Sequence, residues 1–153
     1  MGAVDTNVLI RCIVRDDPRQ FDAVARLREC YVREGSKLFV PVTVLLEFEW
    51  VLRSRFGFGK AEVIGAMSKV LNARDLLVDR EMAMGDALAV FKLCDADLAD
   101  CMHARISAWE GQGPLHTFDR CASTLPGAQL LSTKVEEPRP AWRTSRTQME
   151  AMA

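Results

Sequence analysis

The spacing of hydrophobic positions changes several times along the chain, and each change marks an element. Ala3-Val4 is a short apolar segment running into Asp5-Thr6-Asn7, residue types that cap helices; Val8, Leu9, Cys12 and Ile13 then recur at helical spacing. The pattern predicts strand, tight turn, helix. Asp16-Asp17-Pro18 breaks that helix, and Pro18 suits the first turn of the next, which Phe21, Val24, Ala25, Leu27, Arg28 and Tyr31 carry to Gly35. Leu38-Phe39-Val40 reads as a short strand closed by Pro41. Thr43 is expected to cap a helix over residues 44 to about 55, stopped by Gly57. A further helix is expected from residue 60 to about 72, and a strand or extended link at Leu76-Leu77-Val78. Asp79 is expected to cap a helix to about residue 93, and another covers roughly 96–109, ended by Gly111 and Gly113. Leu115 to Phe118 is the next strand, with Asp119 at its C-terminal end, and residues 128–131 form a last edge strand.

Short apolar strands alternating with long helices predict an α/β fold: a central parallel sheet of four to five short strands with helices on both faces. Ligands in such sheets sit beyond the C-terminal strand ends, where Asp5 and Asp119 both fall. Residues 1–135 are expected to form one domain. From residue 136 onward the chain turns polar, with two prolines and three arginines, which predicts a flexible C-terminal tail over 136–153.

Composition narrows the options. A length of 153 residues allows one well-filled core, and the scarcity of aromatics (7%) means that core must be mostly Leu, Val, Ala and Met. A net charge of −1 supplies no global field for nucleic acid, so any such contact needs a local basic patch. The five cysteines are odd in number and lack CxxC spacing, which points to a reducing cytoplasm without disulfides or zinc. No leader pattern and no membrane-length apolar run are present in the sequence.

The carboxylates carry the chemistry. Asp5 taken alone reads better as a helix cap or Asx turn than as a ligand, although it follows a strand where an α/β protein places its chemistry. Glu47 is more telling: its helical neighbours Thr43, Val44, Trp50 and Val51 are not basic and three are apolar, so it is expected to lose hydration and to want a cation from elsewhere. Glu49 is the contrast, with Arg53 four residues on, and reads as a surface ion pair. Asp97 and Asp100 share a helix face near its start, where acids complement the dipole, but Asp100 lies a turn deeper in an apolar run. Asp119 follows a strand, where a cap is equally expected. His103 and His116 have no metal-ligand partner at i,i+4. Several carboxylates without His or Cys suit Mg²⁺ or Mn²⁺ rather than Zn²⁺. Such ions activate water and stabilise charge on phosphoryl oxygens, so phosphodiester hydrolysis fits the inventory, with Arg11, Arg15, Arg53 and Arg55 as candidates for the phosphates.

Four segments taken together resemble the PIN-domain family, and within it the VapC-type toxins of bacterial toxin–antitoxin pairs. Val4-Asp5-Thr6-Asn7-Val8-Leu9-Ile10-Arg11 is similar to the family's opening motif. The stretch from Pro41 to Arg53, with Glu47 at the acidic position, is similar to the second. Asp97-Leu98-Ala99-Asp100 is similar to the third, and Thr117-Phe118-Asp119 to the fourth. The resemblance covers about residues 2–131. It implies a parallel sheet flanked by helices, an acidic Mg²⁺ or Mn²⁺ pocket, endonucleolytic RNA cleavage, dimerisation and inhibition by a cognate antitoxin. On that basis Asp5, Asp100 and Asp119 are expected to hold metal, Glu47 to act as a ligand or through water, and Asp97 to support them. Thr6, Asn7 and Thr117 are expected to orient carboxylates or water. The apolar helix from Val44 to about Phe58, with Trp50, is expected to fill the core or to take an antitoxin segment beside it. Two rivals remain at this level. A HAD-type phosphatase would use Asp5 as nucleophile but wants an acid where Asn7 stands, and a PIN-like binding module would keep the fold without catalysis.

Overall fold

The computed structural model describes residues 1–133, so the expected tail over 136–153 lies outside the described residues. Strands β1 (Gly2–Ala3), β2 (Leu38–Val40) and β3 (Leu76–Val78) form a parallel ladder in that order, and β4 (Leu115–Thr117) and β5 (Ala128–Leu130) form a second parallel ladder. Helices α1 (Thr6–Arg11), α2 (Pro18–Arg33), α3 (Val42–Phe56), α4 (Lys60–Leu71), α5 (Glu81–Leu93) and α6 (Leu98–Trp109) flank the strands. This is the expected parallel α/β architecture. It differs in one respect: among the described residues the strands hydrogen-bond as a group of three and a group of two, not as one continuous sheet.

Most boundaries follow local chemistry. Asp17 caps α2 by accepting from the Gln20 amide at 3.0 Å, and Pro18 occupies the first helical position. Gly57 ends α3 in the left-handed conformation (φ 67°), which costs glycine nothing. Two expected caps move. α3 starts at Val42 behind Pro41, so Thr43 lies inside its first turn and caps nothing. Asp79 does not cap α5. Arg80 takes that place in a left-handed conformation (φ 52°), and the Asp79 carboxylate instead accepts from the Val42 amide at 3.3 Å. An acid at the end of β3 thus satisfies a free amide at the start of α3, across a chain separation that sequence spacing does not reveal.

The core matches the composition. Leu9, Leu38, Val40, Leu45, Leu52, Val63, Met67, Met84, Leu98 and Met102 are fully buried, with Phe48 and Phe91 as buried aromatics. β2 and β3 alternate: Leu38, Val40, Leu76 and Val78 face the core, whereas the register partners Phe39 and Leu77 are partly exposed on the other face. α2 approaches the sheet closely at Gly2, where an added Cβ would stand 2.3 Å from the Tyr31 hydroxyl. α2 is also clamped at the start of the strands. Arg28 on α2 makes a forked pair with Asp75, one arm at 2.8 Å, and the Asp75 carbonyl accepts from the Leu38 amide at 2.9 Å.

The hydrogen bond from Arg28 holds the Asp75 carboxyl below its ordinary value. A lowered folded-state value means stability that is present above the unfolded carboxylate value near 3.9 and is lost as pH falls through the folded value. Urea unfolding of Asp75→Asn is expected to show a loss of about 1 kcal/mol at neutral pH, modest because Arg28 is partly solvated. It is also expected to show a shallower decline than the native chain below about pH 4. An unchanged acid slope would mean that the pair does not anchor α2.

Candidate functional site

The end of β1 leads directly into the first candidate acid. Asp5 is the N-cap of α1, and its Oδ1 accepts from the Val8 amide at 2.9 Å. The next residue, Thr6, is buried (7% exposed), and its hydroxyl donates to Oε2 of Glu47 on α3. Asn7 is exposed. A buried hydroxyl needs an acceptor, so this bond fixes the start of α1 to the second turn of α3.

Glu47 itself is exposed, and Glu49 is buried at 2%. This reverses the expected environments of the two acids. α3 turns Leu45, Phe48, Glu49 and Leu52 inward, so the buried stripe runs one position away from where the neighbours of Glu47 suggested. The pairing of Glu49 with Arg53 does form, but around a buried carboxylate rather than on the surface. Arg53 is half-exposed and reaches down to Glu49, and that bond raises the Arg53 pKa above its ordinary value. Asp97 contributes to the same shift, which places the Arg53 head within electrostatic reach of the start of α6.

The other acids gather around that start. Asp97 is the N-cap residue of α6, and its side chain makes no capping bond. Asp100 is half-buried in the first turn. Burial, then the charges of Asp119 and Asp97, push its carboxyl above the usual carboxylate range, with His103 opposing. Asp119, two residues beyond β4, is exposed; its Oδ1 accepts from the Ala122 amide at 2.8 Å, and its own amide donates to the Thr117 hydroxyl at 3.0 Å. Asp97 and Asp119 therefore both bear on Asp100, one from the start of α6 and the other from beyond β4. Asp5 and Glu47 form a second group joined through Thr6. A groove of about 400 Å³ lies between α3 and α6, lined by Thr43, Leu46, Glu47, Glu49, Trp50, Arg53 and Ala99, so Glu47 borders the neighbour of Asp100.

Among the described residues, no three Asp, Glu, His or Cys side chains are arranged closely enough to hold a metal ion. The donor chemistry nevertheless suits one. Like charges of Asp97 and Asp119 bear on Asp100, and a hard divalent cation would offset that kind of repulsion.

The four candidate phosphate-binding arginines differ in availability. Arg11 pairs with Asp16 and donates to Gln20 at 2.6 Å, Arg15 lies over the Phe21 ring at 4.6 Å, and Arg53 holds Glu49. Arg55 is exposed and, among the described residues, unpaired. Three features were not singled out by sequence reasoning: the burial of Glu49, the reach of Asp79 to α3, and a contact between Cys94 and Cys101, whose Sγ atoms lie 3.6 Å apart. Burial and the contact with Cys94 push the Cys101 thiol up to about 12. Glu49 lies four residues after Leu45 and three before Leu52, on the buried stripe of α3, a spacing present in the sequence.

A parallel α/β scaffold with acids at two strand ends and one helix start defines the class of protein. The family model described as the PIN domain matches residues 3–123, and the chain belongs to this family, which is generally associated with nuclease activity. No curated protein matches the chain. Among the described residues, no helix is long and apolar enough to cross a membrane.

The two glutamates are expected to part company on mutation. Arg53→Met strands the buried Glu49 carboxylate and should lower stability by about 1–2 kcal/mol. Glu47→Gln keeps an oxygen for the Thr6 hydroxyl and should change stability by less than about 0.5 kcal/mol. Paired urea titrations measure both, and equal losses would mean that Glu47 has a structural role like that of Glu49.

Proposed function

We propose that the chain is a Mg²⁺- or Mn²⁺-dependent endoribonuclease, acting in the cytoplasm as the toxin of a toxin–antitoxin pair. The observation that supports this most is that Asp97 at the start of α6 and Asp119 beyond β4 are both brought close enough to raise the half-buried Asp100 carboxyl. Asp100 and Asp119, with Asp5, would hold the metal; Asp97 would support them, and Glu47 would act as a ligand or through water. A bound divalent ion would supply an activated water and neutralise charge on the phosphoryl oxygens.

The remaining roles belong to side chains. Thr6 orients the Glu47 carboxylate. Thr117 accepts from the backbone at Asp119 and steadies the turn that presents it. Asn7, exposed beside Thr6, is available to position water. The exposed Arg55 and the half-exposed Arg53 would meet RNA phosphates by charge, and Arg11 and Arg15 would do so on leaving their present partners. Trp50 is 56% exposed in the groove between α3 and α6, a setting suited to an apolar segment of the antitoxin. The rest of α3 fills the core through Leu45, Phe48 and Leu52. We infer a homodimer or a toxin–antitoxin hetero-oligomer as the working assembly.

The test uses protein freed of any partner, mixed with total cellular RNA in Mg²⁺ or Mn²⁺. Discrete fragments are expected, abolished by EDTA and reduced on the order of 100-fold or more by Asp100→Asn. Circular dichroism confirms that the variant is folded. Full metal-dependent cleavage by folded Asp100→Asn would overturn the site assignment. Absence of cleavage together with no Mn²⁺ binding by calorimetry would point to a binding module.

A further inference from the structure

The turn from α5 to α6 holds two cysteines that the proposed chemistry does not use. Cys94 is the C-cap residue of α5, in extended backbone conformation, and Cys101 lies in the first turns of α6. Their Sγ atoms stand 3.6 Å apart, the one thiol–thiol contact among the described residues. The contact is not an accident of a loose loop. Lys60 on α4 donates from Nζ to the Cys94 carbonyl and lies over the Phe91 ring at 4.5 Å, so the backbone at Cys94 is held from a third element. Cys101 is buried in the core, and Cys94 is half-buried against it.

We propose that Cys94 and Cys101 are an oxidative modification site, which a hydroperoxide closes to a disulfide across the α5–α6 turn. The sulfurs need to approach by about 1.5 Å to reach bonding distance. The balance is simple. The Cys94 sulfur attacks the peroxide O–O bond, becoming a sulfenic acid while the peroxide leaves as an alcohol or water. The Cys101 sulfur then displaces hydroxide from that sulfenic sulfur, forming the S–S bond and releasing water. Two thiols lose two electrons and two protons, and the peroxide takes them. Cys94 reacts first because it is the less buried member, and Cys101 closes the bond because its sulfur is the neighbouring thiol. The closed loop encloses Asp95, Asp97 and Asp100, so oxidation acts on the segment that carries candidate acids. That consequence rests on the proposed function, whereas the thiol chemistry does not.

The experiment reads the thiols alone. Full-length reduced protein is treated with hydrogen peroxide, free thiols are alkylated, and trypsin is added. Lys92 and Arg105 bound a peptide over residues 93–105 that contains both cysteines and no third. After oxidation this peptide is expected to carry no alkyl group, to be lighter by two hydrogens apart from any oxygen added at Met102, and to regain two alkylatable thiols on dithiol reduction. Cys94→Ser, at a half-buried position, should leave Cys101 fully alkylatable after the same treatment of the denatured product. A peptide that keeps two alkylatable thiols while the exposed Cys121 is consumed would overturn the proposal. So would a disulfide joining Cys94 to Cys121, or a sulfinic acid at Cys94 with Cys101 still free.

Discussion

Parallel pairing imposes a direction on everything that follows it. Three strands running the same way in one ladder must each be followed by a crossover, and their C-terminal ends come out on one side. Asp5, Pro41 and Asp79 follow β1, β2 and β3 on that side. The helices then start from this edge, which is why caps and candidate ligands compete for the same places. Asp5 serves as cap of α1, and Asp79 satisfies the start of α3. At the opposite edge the Arg28–Asp75 pair ties α2 to the strand starts. Structural charge pairing and candidate chemistry therefore occupy different ends of the same strands.

The link from Thr6 to Glu47 joins two helices that are remote in sequence, and it does so at the point where one group of acids approaches the other. Glu49, two residues further on, performs the opposite service. Its buried carboxylate draws Arg53 inward, and Arg53 in turn comes under the influence of Asp97. α3 thus uses two acids of one type for two purposes, and helical phase alone decides which is which.

Much of the fold was legible because its signals are local. Pro18 after Asp17 marks the start of α2, Gly57 the end of α3, and the short Leu-Phe-Val and Leu-Leu-Val runs the two longer-paired strands. The acids were legible as a set, because residue type and position after strands are readable in one dimension. Their environments were not. The environments of Glu47 and Glu49 were not readable because α3 carries apolar residues on nearly every side, so spacing alone does not say that the stripe of Leu45, Phe48 and Leu52, rather than that of Val44, Trp50 and Val51, faces the core. Asp79 was assigned to the nearest helix because its true partner, the Val42 amide, is brought by the β2–β3 pairing rather than by sequence. The Cys94–Cys101 contact depends on how tightly α5 returns into α6, which is packing information.

The division of the strands into two ladders has a mechanical consequence. Among the described residues, no backbone hydrogen-bond ladder joins β4 to β1, so Asp119 does not inherit its position from the three-stranded group. A two-stranded ribbon is marginal by itself. β4 and β5 are held by the 3-10 turn at Ala122–Thr124, whose Ala122 is buried, and by the packing of α6 against β4. The acidic edge is therefore built in two parts: Asp5 follows a three-stranded ladder, whereas Asp119 follows a two-stranded one whose link to the rest is side-chain packing.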